Sequence, residues 1–258
     1  MANATALFLG RGGVPGFLQG RNAMVLVLTW AASAVDAISY LGLGHVFTAN
    51  MTGNAVLLGV AIGQRQGLAA LRSIIALAGF VVGAALGAII VEKGPHHTDW
   101  PVAVTRAVAA EGIILGLFTL AWHLGVRGGG SLYALITLSA LAMGIQSAAI
   151  RHLKVPGIAT TYITGTLTSL VAEFTAWLYR LKIPPLAVDP TGQSAALDIP
   201  AVRRYHAARL QALVVLIYVC AALVSGFLQS RHSWLVTLSP LIAVALVVLN
   251  ACVRHRRE

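Results

Sequence analysis

Apolar residues arrive in long blocks separated by short polar breaks. Six blocks, at 24–44, 71–91, 105–125, 131–150, 209–229 and 234–252, come close to the ~20 residues that carry a helix across roughly 30 Å of hydrocarbon. Two more, at 48–63 and 160–180, open on polar residues before turning apolar. The first of them has sixteen residues, a reach of about 24 Å at the helical rise, which suits a half-helix or a re-entrant segment. The pattern predicts an all-α fold, a polytopic transmembrane helix bundle of six to eight spans. It forms a single transmembrane domain over 24–253, between an N-terminal segment (1–23) and a basic C-terminal tail (254–258). Prolines and small polar residues in 181–208 predict an irregular loop.

The polar openings of the two shorter blocks resemble one another. Residues 48–59 read TANMTGNAVLLG and residues 160–171 read TTYITGTLTSLV. At an offset of 112, Thr48 aligns with Thr160, Thr52 with Thr164, Gly53 with Gly165 and Leu58 with Leu170, so T-x-x-x-T-G followed by Asn54 or Thr166 is shared. This predicts an internal duplication of a four-segment unit, with one copy over about 24–125 and the other over about 131–252. Whether 48–63 and 160–180 span or re-enter decides whether the copies are parallel or inverted.

Both copies have the character of helix starts at or within the membrane. Thr and Asn accept from the first unpaired backbone N–H groups, and Gly permits close approach. The positive dipole end of such a start suits an anionic or strongly polar solute. The candidate solute-binding residues are therefore Thr48, Asn50, Thr52, Gly53, Asn54, Thr160, Thr161, Thr164, Gly165 and Thr166. The competing reading is that these groups only cap helices and bond neighbouring ones.

Composition narrows the class. Only 10% of residues are charged and 58% are hydrophobic, against about 25% charged in soluble domains, too little polar skin for a core in water. The basic residues behind the net charge of +10 lie between apolar blocks and at the end of the chain, which fits membrane orientation and not nucleic acid. If all eight blocks cross, 13 of the 18 Lys and Arg fall on the side of both termini, which makes that side cytoplasmic. No apolar core with a cleavage site precedes the first block, so a removable signal peptide is not expected. Cys220 and Cys252 have no metal or redox spacing and are expected in the core. No metal site, cofactor motif or catalytic signature is present, and an enzyme is not expected.

Ionisable and polar residues inside the blocks complete the candidate set. A carboxylate at mid-span, Asp36, carries an insertion cost of about 2.5–3.5 kcal/mol, which marks it as a proton- or cation-coupling group or as a bonded structural acid. Glu173 follows the second motif, and Arg151 and Gln146 precede it, as His45 precedes the first. Glu111, within two turns of Arg106, is expected to be partly solvated at a span entrance. Gly79, Gly83 and Gly87 recur every four residues, a small-residue face for packing within the bundle or for a homo-oligomer. Ala222 and Gly226 give a fainter version.

The blocks AVDAISYLGLGHVFTANMTGNAVLLGVAIG and GIQSAAIRHLKVPGIATTYITGTLTSL resemble the YoaK-like family of bacterial integral membrane proteins (domain of unknown function 1275), over roughly residues 22–250. The resemblance implies a multi-pass protein of the bacterial inner membrane and supplies no substrate. Together with the motifs it leads to the expectation of a transporter or permease for a small polar solute with Asp36 as coupling group. The alternative is a non-transporting, partner-binding or assembly protein.

Overall fold

Every regular element among the described residues is a helix. The structure is a computed structural model and describes residues 20–92, 99–125, 130–155, 160, 161, 163–182 and 199–256. The helices are α1 (Arg21–Gly42), α2 (Met51–Gly63), α3 (Gly67–Glu92), α4 (Val102–His123), α5 (Gly130–His152), α6 (Thr164–Lys182), α7 (Ile199–Arg231) and α8 (Leu238–His255). Six of them, α1, α3, α4, α5, α7 over Ala207–Arg231, and α8, are long and apolar enough to cross a membrane. With 13 residues, α2 reaches only about 20 Å. The longer α6 includes Glu173, Arg180 and Lys182 and is not among the six. The loop expected over 181–208 is shorter at both ends, since α6 runs to Lys182 and α7 begins at Ile199; residues 183–198 lie outside the described set.

Contacts between helices fix the direction of each. Along α3 and α5, Gly79 meets Thr137 and Ala140, Gly83 meets Leu141, and Gly87 meets Ile145 and Ala148, so this pair is parallel. The α1–α7 pair is parallel too, because Leu26 packs with Leu210 and Val214 while Ser33 donates to the Tyr218 carbonyl. Antiparallel packing of α4 on α8 shows in Thr105 beside His255, Gly112 beside Val244, and Thr119 donating to the Thr237 carbonyl. Gly20 beside Arg254 and Trp30 on Ser239 make α1 and α8 antiparallel as well.

Arg72, near the start of α3, donates to the Gly44 carbonyl just past the end of α1, so α1, α4 and α7 run one way and α3, α5 and α8 the other. The start of α1 and the end of α8 share one face, here the terminal face. Gly42, Trp122 and Ser233 gather at the opposite face. The chain leaves α1 and enters α3 at the opposite face, so the segment containing α2 returns to the side it left. Likewise α5 ends and α7 begins at the terminal face, so α6 adds no net crossing. Six crossings result, within the six to eight expected, because the segments containing α2 and α6 return to the side they left.

Small-residue packing is internal to the bundle. A methyl group on Gly83 would sit 2.1 Å from the Leu141 carbonyl oxygen, and one on Gly144 2.2 Å from that of Phe80. The Gly79, Gly83 and Gly87 face is therefore filled by α5, and the homo-oligomer expected through it is corrected: no room is left there for a second chain. On α7, a methyl at Gly226 would meet nothing within 4 Å, so that fainter pattern makes no close seam. Cys220 and Cys252, expected in the core, are exposed on the outer surface. The core lies among α1, α4, α5 and α8, where Leu28, Val108, Leu115, Met143, Ile145 and Val244 pack together. Outward residues such as Val81, Val219, Leu223 and Leu246 are apolar and exposed, as a surface solvated by lipid requires.

Candidate functional site

The first motif is a chain reversal held by a carboxylate. Past α1, Gly44 and His45 take positive φ values of 84° and 63°, and the chain folds back along the helix it has left. The backbone N–H groups of Thr48, Ala49 and Asn50 donate to Asp36 Oδ1 at 2.9, 2.7 and 3.3 Å. The Tyr218 hydroxyl donates to Oδ2 at 3.2 Å, and the hydroxyls of Ser39 and Thr48 pair at 2.8 Å. Asp36 stands six residues before the end of α1, about 9 Å inside the opposite face. At that depth no water competes for the N–H groups, and a single acid gathers three donors that hydrocarbon would leave bare.

Asparagines finish the turn. Asn50 caps α2 by accepting from the Gly53 N–H at 3.2 Å. The buried Asn54 accepts from the Phe47 N–H at 2.9 Å and donates back to the Phe47 carbonyl, so one side-chain amide pairs with a loop residue as a strand neighbour would. Gly53 is required here, since a methyl group would lie 2.9 Å from the Phe47 ring. The exposed His45 meets Tyr40 edge-on with ring centroids 5.1 Å apart, and Tyr40 stacks on Phe47.

The second motif uses an amide where the first uses an acid. Past α5, Lys154 turns the chain with a positive φ of 48°. Gln146, six residues before the end of α5 and so about 9 Å inside the terminal face, donates through Nε2 to the Leu28 carbonyl and to Thr160 Oγ1, each at 3.1 Å. Ser147 pairs with Thr161 at 3.3 Å. Along the two motifs the burial repeats position by position. Thr48 and Thr160 are buried, Ala49 and Thr161 are buried, Thr52 and Thr164 are exposed, and Asn54 and Thr166 are buried.

The candidate residues thus fall into two groups at opposite depths. Along α1 the two tethering levels, at Leu28 and Asp36, lie roughly 12 Å apart. The candidate residues therefore form two separate knots, with α2 packed on α3 and α6 on α7. Arg151 is exposed and Glu173 half-buried. Glu111, expected to be solvated, is fully buried between Val108 and Leu115, with neither carboxyl oxygen bonded. Sequence reasoning missed Tyr218 and Ser39; the only signal was a hydroxyl within an apolar block. Among the described residues no group of three or more His, Cys, Asp or Glu is placed to hold a metal.

An all-helical, multi-pass bundle with two internally tethered re-entrant segments is an integral membrane protein. The chain belongs to the family described as Protein of unknown function (DUF1275), matched over residues 24–252. It is similar to the UPF0700 transmembrane protein YoaK of Bacillus subtilis (strain 168), 43% identical over 163 residues that cover 63% of this chain and 71% of the relative. No solved structure matches.

Proposed function

We propose that the protein is a secondary transporter or permease for a small polar solute, built from two copies of a four-helix unit inserted in opposite directions. The observation that carries this reading is the recurrence, 112 residues apart, of one burial pattern on helices of opposite direction. Inverted repeats with broken or re-entrant helices recur in transporters, where the half-helix ends contact the solute. Each knot serves as a gate at one end of a path, and solute passes between the gates. The dipole of α2 already has its anion in Asp36. Thr160, held by Gln146, and Thr161, paired with Ser147, line the approach to the second start, whose positive dipole end suits an anionic solute.

Charge supports cytoplasmic termini in a bacterial inner membrane. With six crossings, Arg65, Arg72, Arg127 and Arg231 fall on the opposite side and the remaining 14 Lys and Arg on the terminal side, a sharper division than eight crossings give. Asp36 is the coupling group of this reading, because releasing Thr48, Ala49 and Asn50 from it would free the first gate.

A second reading, a non-transporting protein whose polar motifs only fix packing, draws on the internal bonding of Thr48, Asn50, Asn54 and Thr160. Cysteines at Asn54 and Thr166, with Cys220 and Cys252 replaced, separate the two. Both positions are buried in this conformation, so reaction with a membrane-impermeant thiol reagent requires a gate to open. Labelling of N54C from outside and T166C from inside is expected. If neither reacts from either side, the packing reading stands. A ligand screen by thermal shift then identifies the solute, since binding to the native form raises the melting temperature.

A further inference from the structure

Glu111 is the one acid in the interior of α4. It lies nine residues from Val102, about 14 Å from that end by the helical rise and so near mid-bilayer. Its stripe of α4, with Val104, Val108 and Leu115, packs with Met143 and Ile145 of α5 and Val244 of α8. Neither carboxyl oxygen has a hydrogen-bond partner, and the residue is fully buried.

On α5, which packs against α4, the same condition recurs. Gln146 is fully buried and its Oε1 is unpartnered. The orientation of this amide is set, because Nε2 is committed to two acceptors, the Leu28 carbonyl and Thr160 Oγ1. Its depth, about 9 Å from the terminal face, is within about 5 Å of that of Glu111. Two neighbouring helices therefore bury three acceptor oxygens and direct no donor at them, whereas buried polar groups in proteins are otherwise almost always paired. Asp36, by contrast, has both of its oxygens occupied.

We infer that Glu111 and Gln146 form a binding site for one small monovalent cation, a proton or an alkali-metal ion, held at mid-bilayer between the two knots. A single positive charge supplies what the oxygens lack and leaves the core neutral. The other ionisable groups on the elements packed around α4 do not compete for it. Arg72 of α3 and Arg106 of α4 stand in the second turns of their helices, Glu92, His123, Arg151, His152, Arg254, His255 and Arg21 stand in terminal turns, and Asp36 of α1 is taken up by its own donors.

Binding here is measured on the purified protein and is decided separately from transport. Infrared difference spectra of the wild type against Glu111→Gln are taken while pH is varied at fixed salt and while sodium or potassium is varied at fixed pH. The expected result is a carboxyl band that Glu111→Gln lacks and that responds to one of the two titrations. Response to pH alone assigns a proton, and response to the metal ion assigns an alkali cation. A band that neither titration moves, or no band lost from Glu111→Gln, overturns the site. Should Glu111→Gln not fold, the wild type is treated with an apolar carbodiimide. Its nitrogen takes the carboxyl proton, the carboxylate oxygen adds to its carbon, and the O-acylisourea rearranges to a stable N-acylurea. A mapped adduct at Glu111 that rising pH or added alkali ion abolishes supports the site, and its absence under every condition overturns it.

Discussion

Two helix pairs of the bundle run parallel, α3 with α5 and α1 with α7, and they are joined by opposite means. Between α3 and α5 the backbones meet directly, with Gly79, Gly83 and Gly87 against α5 and Gly144 against α3. Between α1 and α7 the contact is polar: Ser33 bonds the Tyr218 carbonyl and Asp36 takes the Tyr218 hydroxyl. Gln211, Tyr218 and Ser225 recur every seven residues on α7, and Gln211 Oε1 and Ser225 Oγ are buried without partners. Close-packed backbones have one arrangement, since any slip drives atoms together. Hydrogen bonds with spare acceptors beside them can be exchanged. The difference assigns rigidity to α3–α5 and places any rearrangement at α1–α7.

The sharpest break of this comparison is Gly83→Val. With only 2.1 Å between a methyl group and the Leu141 oxygen, overpacking costs about 3 kcal/mol or more, and little folded protein is expected by size-exclusion chromatography in detergent. Asp36→Ala takes the acceptor from three N–H groups, two of them buried, and lowers stability by about 3 kcal/mol in a denaturant titration, with Asp36→Asn, which keeps an acceptor, falling less. Gln146→Leu removes two bonds and costs about 1–2 kcal/mol. Tyr218→Phe, which removes one donor from Asp36, costs about 1 kcal/mol. Gly226→Ala, with open space around it, stays within about 0.5 kcal/mol of wild type. If Gly226→Ala proved as damaging as Gly83→Val, the two seams would not differ in kind.

Block lengths and hydropathy made the six crossing helices legible, because bilayer thickness imposes one scale on every span. The small-residue face was legible as well, but not whether its partner lay in the same chain, since Gly79, Gly83 and Gly87 look alike in either setting. Asp36 stood out as costly. Its donors did not, because they are backbone groups of Thr48, Ala49 and Asn50, which no side-chain pattern announces. Aligning the motifs paired Asp36 with Ala148 and hid the fact that Gln146, two residues away, tethers the second motif. Glu111 was misjudged from its nearness to Arg106. Helix rotation decides such cases: Arg106 faces outward and Glu111 inward.

The reversal after α1 also sets a problem of biosynthesis. Of the four groups that bond Asp36, three belong to residues 48–50 and the last to residue 218. Until residues 48–50 have followed it, α1 reaches the insertion machinery with its acid lacking these donors. It therefore enters lipid stably only once the following dozen residues have emerged to wrap it, which makes the order of translation part of how the first helix is seated.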